Sequence, residues 1–201
     1  MKIRNITLTN YRLYKGINNL SFSTENEKNI YLVSGQNGFG KTTFLHSLLW
    51  CLYGRLMVDI DDSIRRDIVI HGGYNSFLQY NLNIELKQII NNITKGKVAR
   101  IKRQGYLLDD NEFKDISTYS VSIEFADVFI PSIPCRSLKV TRSYDIIQDK
   151  EAVEIRIDGN INELSTEIGS DVFINDFILN KDIARFFFFD SEKIVTLAET
   201  N

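Results

Sequence analysis

The chain has 201 residues, of which 43% are apolar and 25% are charged, as in globular proteins large enough to bury a core. Its formal net charge of -2 argues against a protein that coats nucleic acid through overall positive charge, although a local basic patch is compatible with it. Two cysteines, Cys51 and Cys135, are too few for a disulfide framework and fit a reducing compartment. No apolar stretch approaches the length of a membrane span, so we expect a cytoplasmic protein.

The first third of the chain has the pattern of a strand, a loop and a helix. Apolar residues at Ile3, Ile6 and Leu8 predict an opening strand that ends near Asn10. Residues 29–34 form a nearly continuous apolar run, which predicts a strand buried on both faces. Apolar residues then recur at helical spacing until a glycine ends the run; they are Phe44, Leu45, Leu48, Leu49 and Leu52, followed by Gly54.

Between this strand and this helix, residues 35–42 match the phosphate-binding pattern G-x-x-x-x-G-K-[ST]. Glycines let the backbone turn so tightly that successive N–H groups point at a polyphosphate. Lys41 opens a helix whose positive N-terminal end faces the same phosphates, and Thr42 supplies a hydroxyl suited to Mg²⁺. The predicted nucleotide-binding residues here are Gly35, Gln36, Asn37, Gly38, Phe39, Gly40, Lys41, Thr42 and Thr43.

The middle of the chain, about residues 76–158, is predicted to be an antiparallel β region. Apolar and polar residues alternate over 78–86, 121–125 and 153–157, and further strands are predicted over 98–103 and 138–144. A basic run lies within this region, at Lys95, Lys97, Arg100, Lys102 and Arg103. It could contact DNA phosphates, but a solvated sheet edge explains it as well, and we favour the edge.

The end of the chain is predicted to contain a helix over 171–179, a strand over 185–189 and the start of a helix at Ser191. Four phenylalanines followed by Asp190 indicate a buried strand with a carboxylate at its C-terminal end, where α/β nucleotide sites are built. By pattern alone this is a Walker B strand whose Asp holds Mg²⁺. The alternative is a core strand whose Asp caps the next helix.

Five segments together resemble one family: residues 10–12 (Asn-Tyr-Arg), 35–43, 50–54 (Trp-Cys-Leu-Tyr-Gly), 70–73 (Ile-His-Gly-Gly) and 187–194. They resemble the N-terminal lobe of an ABC-type ATPase head of the SMC/RecF group, and within it DndD, the ATPase of DNA phosphorothioation. The resemblance covers nearly the whole chain. It implies an α/β P-loop NTPase fold with a mixed sheet around the phosphate-loop helix and an antiparallel β subdomain, the core comprising residues 1–58 and 171–201.

The resemblance also implies roles for single residues. Lys41 and Arg12 would contact the phosphates of ATP, and Thr42 would bind Mg²⁺. In heads of this type the segment around Asp190 leads into the Q-loop, so Asp190 would lie beside Mg²⁺ or the attacking water, although many relatives have Gln there. The two residues assigned to catalysis are therefore Lys41 and Asp190.

The sequence contains neither a Leu-Ser-Gly-Gly-like signature nor a strand that ends in Asp-Glu. In the resembling heads both lie in a C-terminal lobe beyond a coiled coil, so we expect the chain to be a fragment or a truncated form. The implied partners are that C-terminal lobe and a second head in an ATP-sandwiched homodimer, with DNA and other DNA-modification proteins as possible further partners. Alone, the lobe is expected to bind ATP weakly and to hydrolyse little or none.

Other functions stay open at this point. A RecF/SMC-type DNA repair or anti-phage ATPase, or a non-catalytic module whose assembly is controlled by nucleotide, would have the same loop. A GTPase or small-molecule kinase is less favoured, because residues 180–182 (Asn-Lys-Asp) place the carboxylate one residue too early for a guanine-reading Asn-Lys-x-Asp. His46 and His71 have no cysteine or carboxylate at ligand spacing, so no metal other than Mg²⁺ is expected.

Overall fold

The computed structural model describes residues 1–23, 30–93, 110–131, 133, 135–184 and 186–188. Its strands form one six-stranded sheet in the order β2-β1-β3-β4-β5-β6, and every neighbouring pair is antiparallel. The strands are β1 (Lys2–Tyr11), β2 (Tyr14–Ser21), β3 (Thr118–Ala126), β4 (Ser137–Asp145), β5 (Lys150–Ile157) and β6 (Asn160–Ile161).

One face of this sheet is apolar and the other is polar. Ile6, Ile123, Val140 and Ile155 pair across four strands, and all four are buried. The neighbouring row, Thr7, Ser122, Thr141 and Glu154, lies on the opposite face. Because side chains alternate along a strand, this pattern is that of an antiparallel sheet with its core on one side.

The helices lie before, between and after these strands in the sequence. They are α1 (Lys41–Tyr53), α2 (Asp62–Ile70), α3 (Tyr74–Tyr80), α4 (Ile84–Asn92), α5 (Asp110–Ser117), α6 (Glu163–Ile168), α7 (Ser170–Phe173) and α8 (Lys181–Ala184), with a 3₁₀ segment at Gly54–Asp59 and a π-helical turn at Ile174–Ile178. No helix among these described residues is both long and apolar enough to cross a membrane.

Helix α1 packs on the apolar face of the sheet. The thiol of Cys51 donates to the carbonyl of Val121 at 3.2 Å, and the rings of Trp50 and Tyr119 lie 5.1 Å apart. Trp50, Cys51, Leu52 and Tyr53 are all buried. The predicted helix is confirmed, and it ends at Gly54 as expected.

The predicted sheet arrangement is wrong in part. The protein is mixed α/β as expected, but the described strands contain no parallel pair, and β1 and β2 share a sheet with β3–β6. The opening strand and the strands over 121–125, 138–144 and 153–157 are confirmed as parts of β1, β3, β4 and β5. The strand predicted over 98–103 lies outside the described residues.

The strand predicted over 78–86 is also wrong, because residues 74–80 and 84–92 form α3 and α4. Leu78, Leu82 and Leu86 are buried, whereas Tyr80 and Ile84 are 49% and 60% exposed. Leu78 lies in α3, Leu86 lies in α4, and Leu82 lies between the two helices, where it forms a β-bridge with Tyr11. The buried apolar residues of the alternating pattern are therefore buried from three different local structures, and the alternation did not indicate a strand.

Two further predicted strands do not form in the described residues. Residues 30–34 have no regular secondary structure, and Ile30 and Leu32 are 89% and 87% exposed. Residues 186–188 form a turn and a bend, with Phe186 and Phe187 exposed. Both runs are apolar, but neither has a neighbouring strand among the described residues to pair with. The helix predicted from Ser191 lies outside the described residues.

Candidate phosphate-binding site

The glycine-rich segment forms a turn that leads directly into α1. The N–H of Phe39 donates to the carbonyl of Gln36 at 3.3 Å, and Gly38 and Gly40 have φ values of 85° and 91°. L-residues with a side chain rarely adopt these values, so glycine is needed at both positions. The loop thereby delivers its backbone to the N-terminus of α1.

No side chain in the N-cap or first turn of α1 neutralises the positive end of this helix. Its N-cap residue, Gly40, provides no side-chain hydrogen bond, and the first turn contains no acidic residue. The N–H groups of Lys41, Thr42 and Thr43 have no acceptor within the helix, since helical N–H groups bond four residues back. The free N–H groups and the helix dipole together favour an anion at this end.

The side chain of Lys41 folds back across the loop. Its Nζ donates to the carbonyls of Gly35 at 2.7 Å and Gln36 at 3.3 Å, and to Oδ1 of Asn37 at 3.2 Å. All three acceptors are neutral. Phosphate oxygens would make shorter and stronger charge-assisted bonds to the same ammonium group, so the lysine is placed to exchange these acceptors for a phosphate.

A cavity of about 240 Å³ opens at this point, lined by Leu13, Asn37, Gly38, Gly40, Lys41, Thr42 and Thr43. A larger one, of about 380 Å³, lies at β4, β5, α6 and α7, and none of its lining residues belongs to the loop. The smaller cavity is the better candidate because it combines free helical N–H groups with a lysine ammonium.

The turn between β1 and β2 forms one wall of the smaller cavity. The hydroxyl of Tyr14 donates to the carbonyl of Gly40 at 3.3 Å, and a Cβ at Gly40 would lie 3.2 Å from Cδ1 of Leu13. Burial raises the pKa of Tyr14, so its hydroxyl keeps its proton and stays a donor. Neither Leu13 nor Tyr14 was predicted as a site residue; their position directly after the Asn-Tyr-Arg segment was the only available signal.

A family model described as an AAA domain matches residues 5–200. The chain belongs to the AAA domain family. A comparison with curated proteins finds no match. The family is one of P-loop ATPases, so the loop of this AAA domain belongs to an ATP-binding ATPase of the SMC-like kind.

Arg12 of the AAA domain lies next to the loop wall, but its side chain turns toward α3. Its Nε donates to Oδ1 of Asn81 at 2.7 Å, and its guanidinium carbon lies 5.2 Å and 5.4 Å from the ring centres of Phe77 and Tyr80. Its Nη2 is 3.9 Å from a carboxylate oxygen of Asp67. These contacts do not involve the loop, and the assignment of Arg12 to the phosphates stays a prediction.

Asp190 lies outside the described residues, so its predicted place beside Mg²⁺ also stays a prediction. Within the described part of the AAA domain, no group of three His, Cys, Asp or Glu residues could hold a metal ion. A magnesium ion that arrives with ATP does not need such a group, because it takes phosphate oxygens, water and one or two protein oxygens. Thr42 is exposed in the first turn of α1 and can supply one of them.

Proposed function

We propose that this AAA domain is the nucleotide-binding N-terminal half of an SMC-like ATPase head that acts in DNA modification, as DndD does in DNA phosphorothioation. The observation that carries the proposal is the loop before α1, where Lys41 and an uncapped helix N-terminus converge on one cavity. The assignment to DNA phosphorothioation is supported by the resemblance of residues 50–54 and 187–194 to that group of ATPases.

In this proposal the protein contributes position and charge rather than covalent chemistry. Lys41 binds the β and γ phosphates, and the N–H groups of the loop and of α1 bind the remaining phosphate oxygens. Thr42 supplies a hydroxyl to Mg²⁺, which neutralises charge that develops on the phosphates. Arg12 and Asp190 complete the site if their side chains reach the phosphates and the metal ion.

Hydrolysis in the proposed function requires a C-terminal lobe and a second head that sandwiches ATP. The exposure of apolar residues next to the loop supports a covering partner: Ile30 and Leu32 are 89% and 87% exposed, and Phe39 is 73% exposed. Contiguous apolar residues in water usually mark a surface that another segment covers. The C-terminal lobe is the proposed partner there, and DNA is the proposed partner of the assembled dimer in the cytoplasm.

The test is a calorimetric titration of the chain with ATP in the presence of Mg²⁺. We expect Lys41→Ala to weaken binding by at least about tenfold, because it removes a charge-assisted contact to the phosphates. Lys139→Ala is the matched control, since Lys139 is an exposed lysine on β4. Equal affinities of wild type and Lys41→Ala would refute the nucleotide-binding role.

The same variant tests the role in phosphorothioation. In cells whose DNA modification depends on this protein, phosphorothioate linkages are counted by mass spectrometry after nuclease digestion. Lys41→Ala should lower them and Lys139→Ala should not. Undiminished modification with Lys41→Ala, in spite of lost ATP binding, would assign the ATPase to another DNA process.

A further inference from the structure

The turn that walls the phosphate cavity is exposed at its tip, between Tyr11 in the core and Tyr14 packed against the core. Leu13 lines the cavity but is 62% exposed. Two residues that lead into the tip are in the left-handed region, with φ of 56° at Asn10 and 46° at Arg12. Residues with a side chain adopt this region only at a cost, so something must hold the turn in this conformation.

Residues 81–83, between α3 and α4, hold it through four hydrogen bonds, which we call the asparagine clasp. The N–H of Arg12 donates to the carbonyl of Asn81 at 2.7 Å, and the N–H of Asn83 donates to the carbonyl of Asn10 at 2.8 Å. The side chain of Asn83 donates to the carbonyl of Arg12 at 2.7 Å. The fourth bond joins Nε of Arg12 to Oδ1 of Asn81 at 2.7 Å.

Burial makes the clasp hard to replace by water. Asn81 and Asn83 are 0% and 5% exposed, and Tyr11 and Leu82 form a β-bridge between the two pairs of bonded residues. The bond from Asn83 to the Arg12 carbonyl is partly buried, and a partly buried carbonyl that loses its donor is costly because water replaces the donor only incompletely. The clasp therefore fixes the turn, and the turn fixes Leu13 and Tyr14 against Gly40.

We infer that Asn83 is a positioning residue of the phosphate loop: through its side-chain amide it holds the β1–β2 turn, which in turn holds Gly40 at the N-terminus of α1. This inference rests on the proposed ATP-binding function. It also gives α3 and α4 a role, because a segment far from the loop in sequence sets the shape of the loop wall.

The two ends of the Asn83 amide have separate tasks, and this makes the inference testable. Its Oδ1 accepts from the N–H of Glu85 at 3.2 Å and caps α4, while its Nδ2 donates to Arg12. Asn83→Asp keeps a good N-cap acceptor, replaces the donor by an oxygen that cannot bond the Arg12 carbonyl, and adds one negative charge, which the control variant below also adds. Asn83→Ser keeps an acceptor as well, and its shorter side chain cannot reach Arg12, so it serves as a second variant.

Asn162→Asp is the matched control. Asn162 caps α6 by accepting from the N–H of Leu164 at 3.0 Å, and its own Nδ2 is buried with no hydrogen-bond partner among the described residues. The same chemical change therefore removes no donor bond there. Thermal unfolding of all variants separates a general loss of stability from a local one.

The experiment measures amide hydrogen exchange and the Kd for ATP with Mg²⁺ on the full chain. We expect Asn83→Asp and Asn83→Ser to speed exchange at Arg12, Phe39 and Phe44, whose N–H groups donate to the carbonyls of Asn81, Gln36 and Gly40, and to raise the Kd about tenfold, as for one lost hydrogen bond. Asn162→Asp should change neither. Unchanged exchange in the loop, or faster exchange with an unchanged Kd, would overturn the inference. If wild type itself binds no ATP, the proposed function fails, while exchange at Phe39 and Phe44 still decides whether the clasp positions the loop.

Discussion

Replacing Gly54 by alanine tests how the C-terminal end of α1 is anchored. Gly54 has φ of 51°, and an added Cβ would lie 2.5 Å from Nη1 and 2.9 Å from Cζ of Arg142. The Arg142 side chain is 3% exposed and pairs with Glu151 at 3.0 Å and with Asp171. The guanidinium therefore has no room to move without leaving its partners.

Two costs add up in this variant. A side chain in a sparsely populated backbone region costs about 1–3 kcal/mol. Breaking a buried ion pair costs about 3–5 kcal/mol, and we take the lower end because the Asp171 side chain is 53% exposed. We expect a loss of at least about 4 kcal/mol, a large part of the usual stability of a domain, about 5–15 kcal/mol.

Gly73→Ala separates the two costs. Gly73 has φ of 117° and ψ of 174°, and no atom of the described part of the chain lies within 4 Å of its Cβ position. It therefore carries only the backbone cost, about 1–3 kcal/mol. Urea unfolding followed by the fluorescence of Trp50, the single tryptophan, gives both free energies. Equal losses for the two variants, with equal m-values, would refute the steric argument about Arg142.

Two further predictions concern titratable groups. Burial raises the pKa of the Cys51 thiol to about 12, whereas Cys135 is partly exposed. A thiol reagent at pH 8 should therefore add one label to the native protein, at Cys135, and two labels to the unfolded protein. Mass spectrometry counts the labels. Burial and then the nearby Arg12 lower the pKa of Lys87 from 10.5 to about 8. Between these pH values the unfolded chain binds more protons than the folded one, so the cost of burying this ammonium group falls and the fold becomes more stable as pH rises. The unfolding free energy of wild type minus that of Lys87→Gln should therefore increase from pH 8 to 10, and a pH-independent difference would contradict the shift.

The sequence predicted those elements whose signal is local. Helix α1 follows from helical spacing and ends at Gly54, and β3 and β5 follow from alternation. It failed where burial depends on a neighbour: residues 30–34 have the composition of a buried strand, yet Ile30 is 89% exposed, because no described strand lies beside them. It failed again at residues 78–86, where the alternating residues belong to two helices and the segment between them, and only packing decides which of them are buried.

The candidate site likewise contains residues that a local pattern predicts and residues that only tertiary contacts bring to the loop. A glycine that needs a positive φ, followed by lysine and a helix, is a local pattern, so the glycine turn and the helix after it could be predicted from the sequence alone. Leu13, Tyr14 and the asparagine clasp could not, because they meet the loop only through pairing of β1 with β2 and through the bridge between Tyr11 and Leu82. Nothing in the spacing of Asn81 and Asn83 relates them to a phosphate loop some forty positions earlier in the chain.

Helix α1 is held at both ends by different means, and this decides which part of the site can respond to a nucleotide. At its C-terminal end Nε of Arg142 donates to the carbonyl of Cys51 at 3.1 Å. The positive charge of Arg142 also interacts favourably with the negative end of the helix dipole there. At its N-terminal end the wall formed by Leu13 and Tyr14 holds Gly40. Between Gly35 and Phe39 every residue is exposed. Because the helix is fixed and the loop is in water, we expect a bound phosphate to rearrange the loop and the Lys41 side chain, whose neutral acceptors it would replace, and to leave the helix in place.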